Sequence, residues 1–315
     1  AEFDVALDLT LSTNVTVAGA SIVASGSLFG FSFEEGILGM VAHPNFGTAK
    51  RELYIYYNRG FGTATLTERV SRFRVSSDGR TIDATSEEVL FEAKRTKTGR
   101  NGGGMVFGKD GFLYVGISDG GFVRDPAKRA MDKNAIVGKV LRINVDVREK
   151  GKPFGIPTDN PFATPDPKVL ARGEVFSWGH GSPSHLAVDS ADGRIFETEL
   201  GEGATSELNV LAKGANFGWG VKDGFRVVDA VALAKLNAAN EPVVDPVLEF
   251  TQPIDQPIVG GIVYRGEESG LQSIAGQYVT ADFGSGDVVG LSKKVPEGPV
   301  PEYTRTVLAR TGHHR

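Results

Sequence analysis

Glu52–Tyr57 (ELYIYY) and Val70–Val75 (VSRFRV), the latter followed by Ser76-Ser77-Asp78-Gly79, are the stretches that decide the fold class of this chain. The first is a β-branched and aromatic run flanked by the loop segments Asn45–Lys50 and Asn58–Thr63. The second alternates apolar with polar residues, the period of a strand with one face turned inward. An Asp-Gly step after a strand supplies the positive φ that a tight reversal needs. The two runs therefore read as neighbouring strands of an antiparallel meander.

The same unit recurs outward along the chain. Lys109-Asp110-Gly111 leads into Phe112–Ile117 (FLYVGI), Ala191-Asp192-Gly193 into Arg194–Thr198 (RIFET), and Ala275-Gly276 into Gln277–Ala281 (QYVTA). The 41 glycines fit many tight turns between short strands. Only Val228–Asn240 (VDAVALAKLNAAN) reads as a helix, so the alternation of strands with long helices that α/β folds require is missing. An all-β chain of 315 residues built this way is a set of sandwiches or a propeller. The spacing of the units is irregular, which excludes a fixed-period array.

Composition narrows the function. A net charge of -5 leaves no basic excess to neutralise phosphates, so nucleic acid and anionic membrane surfaces are excluded as general partners. With no cysteine, disulfides, thiol catalysis and zinc–thiolate sites are excluded too. No run of about 18 apolar residues is present, so no membrane insertion is expected. A start at Ala1 and the acceptor triplet Asn14-Val15-Thr16 favour a secreted or periplasmic protein. No nucleophile elbow or Rossmann fingerprint stands in a fitting context, and Asn101–Gly104 is no phosphate loop because no helix follows it.

Five segments in order carry a family resemblance. They are Glu34–Phe46 (EEGILGMVAHPNF), Asn101–Gly121 (NGGGMVFGKDGFLYVGISDGG), Gly138–Asp146 (GKVLRINVD), Ile156–Phe162 (IPTDNPF) and Ser177–Gly220, which contains SWGHGSPSHLAVD, GRIFETELGEGATSELN and GANFGWG. Together they resemble the soluble aldose and glucose dehydrogenases that use pyrroloquinoline quinone (PQQ), the glucose/sorbosone dehydrogenase type, whose propeller is shared by hedgehog-interacting proteins. The resemblance implies an all-β, six-bladed β-propeller of four-stranded antiparallel sheets, one domain over residues 1–315. The terminal blades are atypical or incomplete: Ala1–Val23 is β-like but does not match the family's first blade, and no final blade follows about Arg310.

In that family a histidine before a Gly-Gly step removes the sugar hydroxyl proton, an acid orients it, cations hold the quinone, and calcium sits on carbonyl oxygens. The carry-over is partial. Asp119 stands at the orienting acid, and Glu34 and Glu35 at a polar pair on the cofactor rim. Glu199, Gly201, Glu207 and Asn209 keep the spacing of the calcium segment, with Gly201 offering its carbonyl and Glu202 replacing a proline. Gly201, Glu202 and Glu207 are thus the expected calcium residues, in a class of oxygen donors that suits this ion.

The departures fall on charge. Arg100, beside Asn101, holds the position of the catalytic histidine, and arginine stays protonated at any working pH, so it is no general base. Gly181-Ser182 replaces an Arg-Asn pair after Gly179-His180, and Gly284 replaces a lysine close to Asp287. Losing cations from a pocket for a trianion argues against tight PQQ binding. The expected reading is a dehydrogenase-like scaffold that binds a carbohydrate, another anionic ligand or a protein. An active PQQ-dependent dehydrogenase is the alternative, and a calcium-dependent propeller hydrolase the third. Among single residues, an Arg100–Asp119 ion pair is expected at the channel mouth. His43, Trp178 and Trp219 read as structural, His180 and His185 as a poor metal pair, and His313 and His314 as chain-end residues.

Overall fold

A computed structural model describes residues 36–59, 66–95, 100–120, 125–149, 151–201, 205–251, 258–282, 285–294 and 302–310, with the short segments 15–17 and 20–22. Glu34, Glu35, Glu202, Gly284, His313 and His314 lie outside the described residues.

A two-stranded hairpin, β1 (Val15–Val17) with β2 (Ala20–Ile22), precedes four successive four-stranded antiparallel sheets. The first sheet is β3 (Ile37–Ala42), β4 (Glu52–Arg59), β5 (Thr67–Val75) and β6 (Ile82–Lys94), in chain order. The second is β7 (Met105–Phe107), β8 (Leu113–Ile117), β9 (Lys139–Ile143) and β10 (Val175–Trp178). The third is β11 (Pro183–Val188), β12 (Ile195–Leu200) and β13 (Thr205–Val210), completed by β16 (Leu248–Thr251). Before that last strand the chain inserts the short pair β14 (Lys222–Asp223) and β15 (Arg226–Val227) and then α1 (Ala230–Ala238). The fourth sheet is β17 (Ile258–Val263), β18 (Tyr278–Asp282), β19 (Asp287–Lys293) and β20 (Tyr303–Arg310).

Each strand expected in the meander units is present with its ends within three residues, β5 starting at Thr67 rather than Val70, and the expected helix is α1, capped by Asp229, whose Oδ1 accepts from the Ala232 N–H at 2.9 Å. The turn after β5 closes as expected, with Gly79 at φ +75° and its N–H bonded to the Ser76 carbonyl at 3.0 Å.

First strands meet first strands: β3 touches β7, β7 touches β11, and β11 touches β17. That is the arrangement of propeller blades around an axis. Four such blades stand among the described residues. In the second blade both faces are buried, and all five residues of β8 and all five of β9 are out of solvent. Leu113, Val115 and Ile117 of β8 pack towards the first blade with Tyr54, Tyr56 and Val70, while Tyr114 packs towards the third with Phe176, Leu186 and Ile195. Phe196, Leu208, Tyr278 and Val289 fill the space between the third and fourth.

The glycine run 102–104 serves this packing. A Cβ at Gly104 would lie 2.9 Å from Leu186 Cγ and 3.0 Å from the Pro183 carbonyl oxygen, and Gly103 has φ +125°. Its backbone must pass close to β11, which only glycine permits.

Candidate functional site

Arg100 and Asn101 enter the second blade at its axial end. Arg100 sits in the left-handed region at φ +53°, a conformation that costs a side-chain-bearing residue of order 1 kcal/mol or more. Its guanidinium repays that strain: Nη1 donates to the Gly201 carbonyl at 3.0 Å, and Nη2 to the Leu200 carbonyl at 2.8 Å. The same group lies 4.1 Å above the centre of the Trp219 ring, a cation–π contact in a buried setting. Asn101 is held from both sides. Its Oδ1 accepts from Asn58 Nδ2 at 3.1 Å and from Arg95, and its carbonyl accepts from Ser182 Oγ at 2.7 Å.

Asp119 is buried, its N–H bonded to the Gly181 carbonyl at 2.9 Å. Its Oδ2 accepts the indole N–H of Trp219 at 2.8 Å. The acid that the family pattern assigns to orienting a histidine thus orients an indole. The expected Arg100–Asp119 ion pair takes another form: Trp219 joins the two, stacking on one and donating to the other.

Behind this layer lies a buried acid cluster. Glu197 and Glu199 are two apart on β12 and so face the same way. Opposite them on β13 stand Asn209 and Glu207, and opposite Glu207 on β16 stands Glu249. Like charges facing across strands are unfavourable, so each needs a partner. Glu199 Oε1 accepts from the N–H of Gly181 and, at 3.1 Å, from that of Ser182. Glu207 accepts from the Gly224 N–H, and Glu249 from that of Phe225. Glu197 Oε2 accepts from Asn209 Nδ2 at 2.9 Å.

The cation of the cluster is His180, fully buried and stacked on Phe217 at 4.7 Å. Its Nε2 meets Ser177 Oγ at 2.8 Å, and its Nδ1 lies 3.4 Å from both Glu197 Oε1 and Glu199 Oε2. Burial alone would push the imidazole pKa down, but the Glu197 and Glu199 carboxylates outweigh it and raise it to about 9. Burial, then the negative charge of Glu199, lifts Glu197 to about 7. Burial would lift Glu199 as well, yet its bond to His180 holds it below the usual carboxylate range. Glu207 is pushed well up, by burial and then by Glu199. The carboxylates therefore favour the protonated form of His180 beside Glu199.

Of the residues singled out in the sequence, Arg100, Asn101, Asp119, His180, Gly181, Ser182, Gly201 and Glu207 come together between the second and third blades. His185 goes elsewhere, its Nε2 on the Gly261 carbonyl at 2.7 Å, so it forms no metal pair with His180. His43 is structural as expected, taking the Asn45 N–H on Nδ1 at 3.0 Å. Trp178 is core, but Trp219 does more than pack. Sequence reading missed Glu197, although two carboxylates at alternate positions of FETEL were the signal of a charged face in a buried strand. It also missed Glu68 on β5, which accepts from Ser118 Oγ at 2.6 Å and from Tyr56.

Gly181 explains why this site has closed. A Cβ there would meet Trp219 Cδ2 at 2.6 Å, Arg100 Nη2 at 2.8 Å and Glu199 Oε1 at 2.8 Å. Gly181→Ala is therefore expected to cost about 1–3 kcal/mol in denaturant unfolding, an overpacking penalty. The cost should shrink when Arg100→Gly is added. Equal costs in the two backgrounds would show that Arg100 does not fill this space.

Four-stranded antiparallel sheets whose first strands meet in succession define a β-propeller. The chain belongs to the Glucose / Sorbosone dehydrogenase family, whose model matches residues 14–298. The "Uncharacterized protein slr1608" of Synechocystis sp. is 31% identical over 274 residues, covering 80% of this chain and 58% of that protein. Hedgehog-interacting protein of Mus musculus is 28% identical over 79% of this chain and 33% of its own length. The chain thus spans less than two thirds of these relatives. Among solved structures, the apo-form soluble aldose sugar dehydrogenase of Escherichia coli aligns with a TM-score of 0.67 at 22% identity, over 87% of this chain and 72% of that one. A PQQ-bound aldose sugar dehydrogenase from Streptomyces coelicolor aligns at 0.60 and 21%, over 90% and 71%. At these identities the structural likeness shows the fold.

The residues present do not fit the cofactors that the family implies. For PQQ, among the described residues the space beside Gly181 is taken by Trp219, Arg100 and Glu199, and the Arg100 guanidinium is already engaged by two carbonyls. For calcium, the Gly201 carbonyl faces a guanidinium.

Proposed function

We propose that this chain is a family propeller whose catalytic position has become structural, and that it works by binding a partner rather than by oxidising a sugar. The observation that carries this reading is Arg100, a permanent cation clamped by the Leu200 and Gly201 carbonyls and Trp219 where the family places a base. A general base must accept a proton from the substrate, and a guanidinium does not. With the channel-mouth pocket filled, a protein partner is favoured over a carbohydrate or another anionic ligand. The name of the mouse relative, Hedgehog-interacting protein, agrees with that choice.

The reading includes a single domain over residues 1–315, a propeller of the six-bladed type whose terminal blades are atypical or incomplete. Ile37 and Met40 on β3 and Ile262 on β17, the first strands of the outermost described blades, are 41%, 43% and 60% exposed, which supports further packing against both. Export to a secreted or periplasmic location belongs to the same reading. Among the described residues no helix is long and apolar enough to cross a membrane.

Calorimetric titration with PQQ plus calcium, followed by aldose-dependent dye reduction, tests it. No heat at micromolar PQQ and no reduction are expected. Tight binding with sugar-dependent reduction would restore the PQQ-dependent dehydrogenase and require another base. The calcium-dependent hydrolase reading needs an exposed metal on converging carboxylates. His180, Glu197 and Glu199 do converge, with ligand atoms within 4.8 Å of one another, but all three are buried.

A further inference from the structure

We propose that the Arg100 guanidinium is a tethered cation that takes the place of calcium at the Gly201 carbonyl, with the Leu200 carbonyl as its second acceptor. Two successive backbone carbonyls at the end of β12 are aimed at one charged group, Leu200 at 2.8 Å and Gly201 at 3.0 Å. Paired carbonyl oxygens are the donors a hard divalent ion uses, and they accept equally well from a guanidinium, whose fork presents two parallel N–H groups. The setting asks for positive charge. The Glu199 carboxylate borders the same space beside Gly181 as Arg100 Nη2, and Asp223 Oδ1 would touch a Cβ placed on Gly201 at 2.6 Å. Arg100 supplies that charge from within the chain.

Three features fix it there. The backbone of Arg100 is held at φ +53°, Trp219 lies beneath the guanidinium at 4.1 Å, and Gly181 leaves room for Nη2. A side chain held in this way has a high effective concentration at the carbonyls and is not lost by dilution or chelation. Arginine stays charged across the working range, so the cation is also not lost with pH. A calcium ion sharing these carbonyls would stand beside a fixed positive charge and be repelled. The site has therefore exchanged a dissociable metal for a permanent one-residue substitute.

The test uses the full chain without quinone. Thermal unfolding is compared in millimolar calcium, in magnesium and in chelator, for the wild type, Arg100→Gly and Arg100→Asn. Glycine and asparagine both accept a positive φ, so the variants remove the charge without straining the backbone. The wild-type midpoint is expected to be the same in all three conditions, and calorimetry with calcium to show no binding. The variants are expected to melt lower in chelator and to regain about 3 °C or more with calcium. Stoichiometric calcium binding by the wild type would overturn the proposal, whichever variants fold. So would a folded Arg100→Gly or Arg100→Asn that ignores calcium. This inference rests on the same placement of Arg100 as the proposed function, but the two fail separately. Quinone binding with sugar oxidation would overturn the function while a calcium-indifferent wild type left the tethered cation standing.

Discussion

Glu199→Ala is expected to lower stability by about 3–5 kcal/mol, and the melting midpoint by about 5–8 °C. Glu199 is the anion around which the buried site is organised: it accepts from the N–H groups of Gly181 and Ser182 and faces His180 Nδ1 at 3.4 Å. Its removal strands two backbone donors and an imidazolium in a place that water does not reach. Replacing the carboxylate by methyl offers no substitute for either, and breaking one side of a buried pair costs far more than the pair contributes net. Glu197→Gln provides the contrast. Glu197 Oε1 makes no hydrogen bond among the described residues but lies 3.4 Å from His180 Nδ1, and the group is raised to about 7, so a neutral amide of the same shape keeps the Asn209 contact and strands no backbone donor, at the cost of part of the charge facing His180. A loss of about 1 kcal/mol or less is expected. Chemical denaturation of both variants checks the pair of outcomes. Equal losses would mean that the two carboxylates share the load and that the organising role of Glu199 is wrong.

Stability is expected to fall as pH rises from about 6.5 to about 9, by roughly 3 kcal/mol from His180 alone. The sign follows from which state holds the proton. His180 titrates near 6.5 in an unfolded chain and at about 9 in the fold, so the folded state binds the proton more tightly. Its contribution is fully present below the unfolded value and gone above the folded one. Glu197, raised from 4.5 to about 7, acts in the same direction at lower pH, as does Glu207. Lys139 works against them. Burial pulls its pKa down to about 7, so its contribution grows as pH rises above that. Comparing wild type with His180→Gln isolates the histidine, because Lys139 is common to both. The wild-type curve is expected to drop towards that of the variant between these pH values. Parallel curves across the window would show that His180 holds no extra proton.

Much of the site was legible as substitution. Arg100 at the position of the base, and Gly181-Ser182 for Arg-Asn, are read from segment order, and the structure brings these residues together. What those replacements do to one another was not legible. Gly181 lacks a side chain because Arg100, Trp219 and Glu199 fill its space, and those residues come from three separate stretches of chain. Likewise Glu197 and His180 are 17 residues apart, and nothing local in FETEL says which buried cation its carboxylates will meet.

The sequence by itself determined the strands, because side-chain alternation and Asp-Gly turns are short-range physics: a residue's neighbours two positions away and the φ of a single glycine suffice. It determined the all-β class, because no stretch other than α1 has a helical period. It also placed Arg100 where the resemblance puts the family's base. Only the tertiary structure decided that Arg100 reaches the carbonyls of Leu200 and Gly201, that Trp219 links it to Asp119, and that a histidine and two glutamates share a proton behind them. These are contacts between blades, set by how whole sheets pack. Protonation states there depend on burial and on charges a few ångströms away, quantities that no local pattern encodes.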